Sequence, residues 1–458
     1  MAQAIKHIIQ SAFGHSGQKC SATSLLILEQ EVFDDSGFKT SLCDAVRSIP
    51  VGPVWDVTTR MGPLIHSPSG ALQRGLKELY TGESWAVLPE QDEHNPGLYS
   101  PGVKWNVSAG NPTHLTELFG PVLGVMRARN LDDAIDLVHQ TGYGLTSGLE
   151  SLDDREQEQW TDEVKAGNLY VNRSTTGAVV LRQPFGGTGK SAFGPGIKAG
   201  GPNYVAQLMH FAPSAPNAGN QPHGTKARGK QTASESPPNQ ATPIQDPLLE
   251  DFRDSLRDRE MGIRQLPEAD VFVPELLVAL ENYQFWVRKE FGKQHDHFRL
   301  VGQDNLRRYR PVRELRVRIH PSDTCFDTIA RICAARAVGC RITVSSPIDG
   351  VPKIVEILET LTESWAGAIE FVEESDTQLA EIIRTHETDR LRYAAPERVP
   401  LQIFQAVEDT GCYIARAPVL AQGRIELLWY VQEQSVCIDY HRYGNLGSRS
   451  SEKLAEVL

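Results

Sequence analysis

A chain of 458 residues with 40% hydrophobic, 23% charged and 7% aromatic residues has the make-up of a folded protein with room for about three domain-sized units, which excludes a disordered tail or a fibrous repeat. Its formal net charge of -12 and pI near 5.6 speak against a nucleic-acid partner, because such a protein needs surplus Lys and Arg to displace counterions from phosphates. Seven cysteines without short even spacing describe no disulfide framework, so a reducing, cytoplasmic setting is expected; no stretch has the length of a membrane span or the h-region of a signal peptide.

In chain order, Ile5, Ile8, Ile9 and Phe13 share one helical face that ends near Gly14. A loop with Gly14 and Gly17 leads to the β-rich run Leu25-Leu26-Ile27-Leu28. Residues 131–140 form a predicted helix entered through Asn130, 167–171 a short strand, and 183–201 a Gly-rich loop. Between about 212 and 247 the composition shifts to Pro, Gly, Asn, Gln, Ser and Thr, too poor in large apolar side chains to order a backbone, and this stretch is expected to be a disordered linker. Beyond it, strands at 315–319, 342–344 and 369–372 alternate with helices at 323–337 and 352–365, the pattern of a parallel βαβ sheet. The final run, 425–439, is expected to form a β-hairpin arm.

A lone cysteine is more often a small buried hydrophobe than a nucleophile. Cys20, in Ser16-Gly17-Gln18-Lys19-Cys20-Ser21-Ala22, has company that argues otherwise. After it come Met61-Gly62-Pro63-Leu64-Ile65, Glu117-Leu118-Phe119-Gly120-Pro121-Val122, Tyr143-Gly144-Leu145-Thr146-Ser147-Gly148, Gly167-Asn168-Leu169-Tyr170-Val171-Asn172-Arg173 and Gln183-Pro184-Phe185-Gly186-Gly187. In that order the set resembles the catalytic domain of the aldehyde dehydrogenase superfamily. The runs Ser100-Pro101-Gly102-Val103-Lys104-Trp105, Thr176-Gly177-Ala178-Val179-Val180 and Lys198-Ala199-Gly200-Gly201-Pro202 are most similar to L-glutamate γ-semialdehyde (1-pyrroline-5-carboxylate) dehydrogenases, in the form fused behind a proline dehydrogenase in bifunctional proline utilization enzymes.

The resemblance implies oxidation of L-glutamate γ-semialdehyde to L-glutamate with NAD, the second step of proline catabolism. Cys20 becomes the nucleophile, with its own backbone N–H as an oxyanion donor. Glu117 and Phe119 become residues at the nicotinamide ribose, and Ser21, Gly177 and Ala178 the holders of the substrate carboxylate. The bland alternatives are a solvated carboxylate for Glu117 and a turn-forming hydroxyl for Ser21. The implied fold is α/β: a catalytic domain over 1–211 and a Rossmann-like, aldehyde-dehydrogenase-like domain over 248–458. The latter has His320-Pro321-Ser322-Asp323 where a dinucleotide site has a glycine turn, so no nucleotide is expected there. The run Tyr440-His441-Arg442-Tyr443-Gly444-Asn445-Leu446-Gly447 resembles the terminal motif of the long bifunctional enzymes.

Other patterns carry less. Gly189-Lys190-Ser191 and Gly194-Pro195-Gly196 are imperfect phosphate-loop and dinucleotide patterns. Cys325, Cys333 and Cys340 are spread over helix faces, without the paired spacing of a zinc site and with no metal implied. The run Arg307, Arg308, Arg310, Arg313, Arg316, Arg318 is expected to be a solvated or subunit-facing surface.

Nineteen residues precede Cys20, whereas the family places its cofactor domain, oxyanion Asn and water-activating Glu ahead of the nucleophile. The chain by itself is therefore expected to be inactive, with the cofactor domain and any FAD-binding proline dehydrogenase part outside it. Its expected partners are the small-molecule aldehyde and either further copies of itself or a chain that supplies the cofactor domain. The alternative is a non-catalytic module for assembly or for covering a substrate channel.

Overall fold

The computed structural model describes residues 1–192, 194–212, 246–258, 262–263, 266–441 and 445–452. Most of the expected linker, and part of the motif at 440–447, lies outside the described residues. The chain forms two compact units: unit 1 comprises Met1–Tyr204, Gln294–Arg308 and Gln432–Leu458, and unit 2 comprises Val205–Lys293 and Tyr309–Val431.

Unit 1 opens with helix α1 (Ala2–Phe13), which buries Ile5, Ile8, Ala12 and Phe13. Strand β1 (Leu25–Glu29) follows. Helix α2 (Ser36–Arg47) starts where the Asp35 side chain accepts from the Gly37 N–H, and it turns Phe38, Leu42 and Val46 inward. Strands β2 (Ser84–Val87), β3 (Gly102–Trp105) and β4 (Val122–Ala128) complete a sheet of order β1-β4-β3-β2, with β4 parallel to both β1 and β3. The core lies between this sheet and the two helices. Leu42, Val46, Leu123 and Val125 are fully buried there, each contributing on the order of 1.5–3 kcal/mol of burial.

Helix α3 (Leu131–Gln140) is entered as expected, the Asn130 side chain accepting from the Asp133 N–H. Strand β5 (Tyr143–Gly144) pairs with a short strand in the glycine-rich loop, β8 (Thr188–Gly189); between them come β6 (Thr146–Leu149), helix α4 (Asp154–Glu163) and β7 (Asn168–Val171). The sheet of β6 and β7 is extended by the C-terminal strand (Val431–Asp439) and then by β9 (Gln303–Pro311). The C-terminal strand runs parallel to β7, with Ser435 opposite Asn168 and Ile438 opposite Val171.

This corrects the expected hairpin at 425–439. The segment forms a helical turn (Gly423–Glu426), a tighter turn (Leu427–Tyr430) and then one strand. Leu427, Leu428, Trp429 and Tyr430 are all buried, and no Gly, Pro or Asn interrupts the run to reverse the chain.

Unit 2 contains helices α5 (Pro247–Asp258) and α6 (Ala269–Trp286) and a five-stranded sheet. Its strands are β10 (Glu314–Arg318), β11 (Arg341–Ser346), β12 (Ile369–Glu373), β13 (Arg390–Arg392) and β14 (Tyr413–Ala415). The order is β12-β11-β10-β13-β14, all pairs parallel, which is the doubly wound arrangement expected from the alternation. The crossover helices are α7 (Cys325–Val338), α8 (Lys353–Leu361), α9 (Asp376–Arg384) and α10 (Leu401–Thr410). Capping boxes of Thr324 with Asp327 and Ser375 with Gln378 start α7 and α9.

Most of the arginine run is not a solvated surface, although Arg313 is exposed and Arg310 half-buried. Arg307, Arg308, Arg316 and Arg318 are buried, because successive residues of β9 and β10 are buried and neither face is left to water; carboxylates pair with Arg308, Arg316 and Arg318. Arg316 pairs with Glu374 at 2.8 Å and Arg318 with Asp376 at 2.7 Å.

Candidate active site

Cys20 is exposed on the loop between α1 and β1, while the other six cysteines are buried or half-buried. Among these six, burial pushes every thiol up: Cys43 and Cys325 in direction, Cys412 and Cys437 to about 11, Cys340 to about 12, and Cys333 furthest.

The loop of Cys20 is fixed from three sides. Gly17 takes a positive φ of 67° and lies so close to the next motif that an added Cβ would stand 2.2 Å from the Gly120 carbonyl oxygen. Only glycine fits there. The Gln18 side chain then bridges two segments, its amide donating to the Phe119 carbonyl at 3.3 Å while its oxygen accepts from the Ile65 N–H at 3.0 Å. The Ser16 hydroxyl donates to the Gly62 carbonyl at 2.7 Å. The motifs around Gly62 and Gly120 are thus brought against the cysteine loop.

The third side is Thr175, which the sequence reading passed over. Its hydroxyl donates to the Ser21 carbonyl at 2.9 Å and lies 3.1 Å from the Thr23 hydroxyl, while its N–H donates to the Ser11 hydroxyl at 3.0 Å. Ser21 is buried. The turn that follows Thr175 carries Gly177, at a φ of 91° and with open space around it, and Ala178; both are exposed. Neither backbone N–H hydrogen-bonds another described residue. Two unspent N–H donors therefore stand on a turn tied directly to the cysteine loop, suited to a carboxylate.

Glu117 and Phe119 are exposed on the loop that ends at Gly120, and the Glu117 carboxylate has no hydrogen bond to another described residue. An exposed carboxylate beside an exposed ring is chemically suited to a ribose, whose hydroxyls donate to the one and whose carbons pack on the other; the residues present fit that end of a dinucleotide.

Behind the loop, burial pushes the Tyr170 phenol up to about 12, and Cys20 is near enough to add to that shift. The same strand presents Asn168, fully buried, which donates to the Pro184 carbonyl at 3.1 Å and accepts from the Gly186 N–H at 3.2 Å and the Lys198 ammonium at 2.9 Å. Lys198 also donates to the Gly186 carbonyl, and its backbone N–H donates to Glu433 at 3.0 Å. Burial lowers the Lys198 ammonium to about 7 and raises the Glu433 carboxyl. Asn168 and Lys198 thereby hold the glycine-rich loop to β7. The sequence signal for both was a polar side chain inside a motif, which does not by itself say that it is buried.

Residues 1–212 match the aldehyde dehydrogenase family. The 1-pyrroline-5-carboxylate dehydrogenase of Bacillus subtilis is 36% identical over 211 residues, covering 45% of this chain and 39% of that protein. The bifunctional protein PutA of Klebsiella aerogenes is 28% identical over 414 residues, covering 88% of this chain and 27% of that protein. The structure of proline utilization A from Corynebacterium freiburgense superposes with a TM-score of 0.70 at 34% identity, over 96% of this chain and 38% of that one. The chain spans less than two fifths of the length of these relatives. Motifs, fold and relatives agree, and residues 1–212 are an aldehyde dehydrogenase family domain.

Proposed function

We propose that this chain carries the thiol-bearing part of an L-glutamate γ-semialdehyde dehydrogenase acting with NAD. The observation that carries the reading is the hydrogen bond from Thr175 to the Ser21 carbonyl, 2.9 Å long, which ties the exposed thiol to a turn with two unspent N–H groups. A substrate with an aldehyde at one end and an amino-acid carboxylate at the other has one anchor for each end. The Gly177 and Ala178 N–H groups and the Ser21 hydroxyl hold the carboxylate, and the aldehyde carbon is left to Cys20.

In this reading the Cys20 thiolate attacks the aldehyde carbon, forming a C–S bond and an oxyanion that accepts a hydrogen bond from the Cys20 N–H. Loss of hydride from that carbon leaves a thioester on Cys20, and attack of water breaks the C–S bond to release L-glutamate and restore the thiol. Glu117 and Phe119 are the residues that would hold the nicotinamide ribose, and the chemistry NAD supplies when bound is acceptance of the hydride.

A second reading, a non-catalytic assembly module, draws on the exposed apolar side chains Val54, Trp55, Val57 and Ile65 of unit 1, a patch suited to covering by another chain or segment. The two readings separate in one experiment. A polypeptide of these 458 residues is assayed for NADH formation from L-glutamate γ-semialdehyde, alone and after addition of the segment that precedes the matched region in a relative. Without that segment no NADH is expected, because holding the reactants together is worth about 7–11 kcal/mol of barrier. With it, activity that disappears in Cys20→Ala supports the dehydrogenase, and activity that survives the substitution overturns it.

A further inference from the structure

Unit 2 contains a crevice that the proposed dehydrogenase chemistry does not use. In its sheet the winding reverses between β10 and β13, and ligands of doubly wound folds bind beyond the carboxyl ends of the strands at such a point. A cavity of about 320 Å³ lies there, walled by Arg318, His320, Asp376, Tyr393, Glu397 and Arg398. That volume is at the lower end of small-molecule pockets.

The walls argue against a nucleotide. The helix that would cradle a pyrophosphate, α7, has its first turn occupied by a capping box, Thr324 accepting from the Asp327 N–H and Asp327 accepting from the Thr324 N–H. Behind Arg398 stand Asp323 at 2.6 Å and Asp327 at 3.1 Å. The Arg318 guanidinium is spent on the Ser345 hydroxyl and the Glu374 carbonyl, both at 2.9 Å, and on Asp376 at 2.7 Å. A polyanion would meet a wall whose positive charges are already matched by carboxylates.

The same walls offer donors and acceptors side by side. Tyr393 is 1% exposed, and its hydroxyl has no hydrogen-bond partner among the described residues, an uncommon state for a buried polar group. His320 accepts from the Ser322 N–H through Nδ1 at 3.1 Å, which places the proton of the neutral ring on Nε2. Donors therefore come from Tyr393, His320 and Arg398, and a carboxylate from Glu397. A ligand that pairs one carboxylate with one ammonium, without net charge, matches this set.

We propose that the crevice between β10 and β13 of unit 2 binds a free α-amino acid. The proposal stands apart from the reading of Cys20, and no reaction is assigned to the site.

The test is isothermal titration of the whole chain with each of the standard L-amino acids other than L-glutamate, which the proposed substrate site would also take, and with inorganic phosphate and ADP. Three proteins are compared: the unaltered chain, Tyr393→Phe, and Ser21→Ala in the proposed substrate site. One or more amino acids are expected to bind saturably, with affinity reduced about tenfold in Tyr393→Phe and unchanged in Ser21→Ala. In the absence of ligand Tyr393→Phe is expected to melt no lower than the unaltered chain, since it removes a buried hydroxyl without a partner. Absence of binding below about 10 mM, equal binding by Tyr393→Phe, loss of binding in Ser21→Ala, or saturable binding of phosphate or ADP that depends on Tyr393 would each overturn the proposal.

Discussion

Thr175→Val tests how the site is held together. Valine keeps the shape and loses the hydroxyl, so the Ser21 carbonyl loses its 2.9 Å donor and the Thr23 hydroxyl its 3.1 Å neighbour; the backbone bond from the Thr175 N–H to Ser11 is retained. Thr175 is 8% exposed, so water cannot readily replace the lost donor. Removing one partner of a buried hydrogen bond leaves the other unsatisfied, which gives a destabilisation of about 1–3 kcal/mol. For a unit of this size that is a fall in Tm of about 2–12 °C. Calorimetry on the whole chain gives the melting temperature, and the alkylation rate of Cys20 with and without L-glutamate reports the loop and its carboxylate anchor. Thr175→Ser, which keeps the hydroxyl, is expected to stay within about 1 kcal/mol of the unaltered chain. If Thr175→Val melts with the unaltered chain, or Thr175→Ser falls as far as Thr175→Val, the hydroxyl does not hold the loop.

Gly17→Ala sets a Cβ 2.2 Å from the Gly120 carbonyl at a φ of 67°, whereas Gly177→Ala at a φ of 91° meets open space. The first is expected to lose more than about 2 kcal/mol and the second about 1–2 kcal/mol, and equal melting temperatures would refute the close approach. Lys198 carries a pH signature: its pKa falls from 10.5 to about 7 in the fold, so between those values the unfolded chain binds more protons and this group makes stability rise with pH, by up to about 5 kcal/mol over the window. Glu433, raised by burial from 4.5, acts oppositely, its contribution falling as pH rises from about 4.5 through its folded value. Lys198→Met should flatten the rise between about pH 7 and pH 9 in thermal melts, and an unaltered pH profile would show that burial does not lower the Lys198 ammonium.

The alternation of strands and helices in unit 2 was legible because each element has its own period, and the β10 to β12 succession follows it. Cys20, Ser21, Glu117 and Gly177 were legible only as motif residues; their convergence depends on contacts such as Gln18 with Phe119 and Thr175 with Ser21 that span long separations and leave no local pattern. Thr175 itself looks like any loop threonine. The C-terminal strand was misread because its partner is β7, far away in sequence, and β pairing of that kind cannot be seen from the strand alone. The buried arginines were misread for a related reason: Arg316 and Arg318 look solvated until Glu374 and Asp376, on later elements, are placed beside them.

The central claim is that the Cys20 thiol stands beside a carboxylate anchor made by Ser21, Gly177 and Ala178. Alkylation with iodoacetamide near pH 8, followed by peptide mapping, measures it directly. Cys20 is expected to be labelled first, since Cys412 and Cys437, with pKa values near 11, hold only about one thiolate in a thousand at that pH. L-Glutamate should slow labelling of Cys20 saturably, and Ser21→Ala should weaken that protection while Tyr393→Phe leaves it unchanged. First labelling at Cys325 or Cys412, or a Cys20 rate indifferent to L-glutamate, would contradict the account.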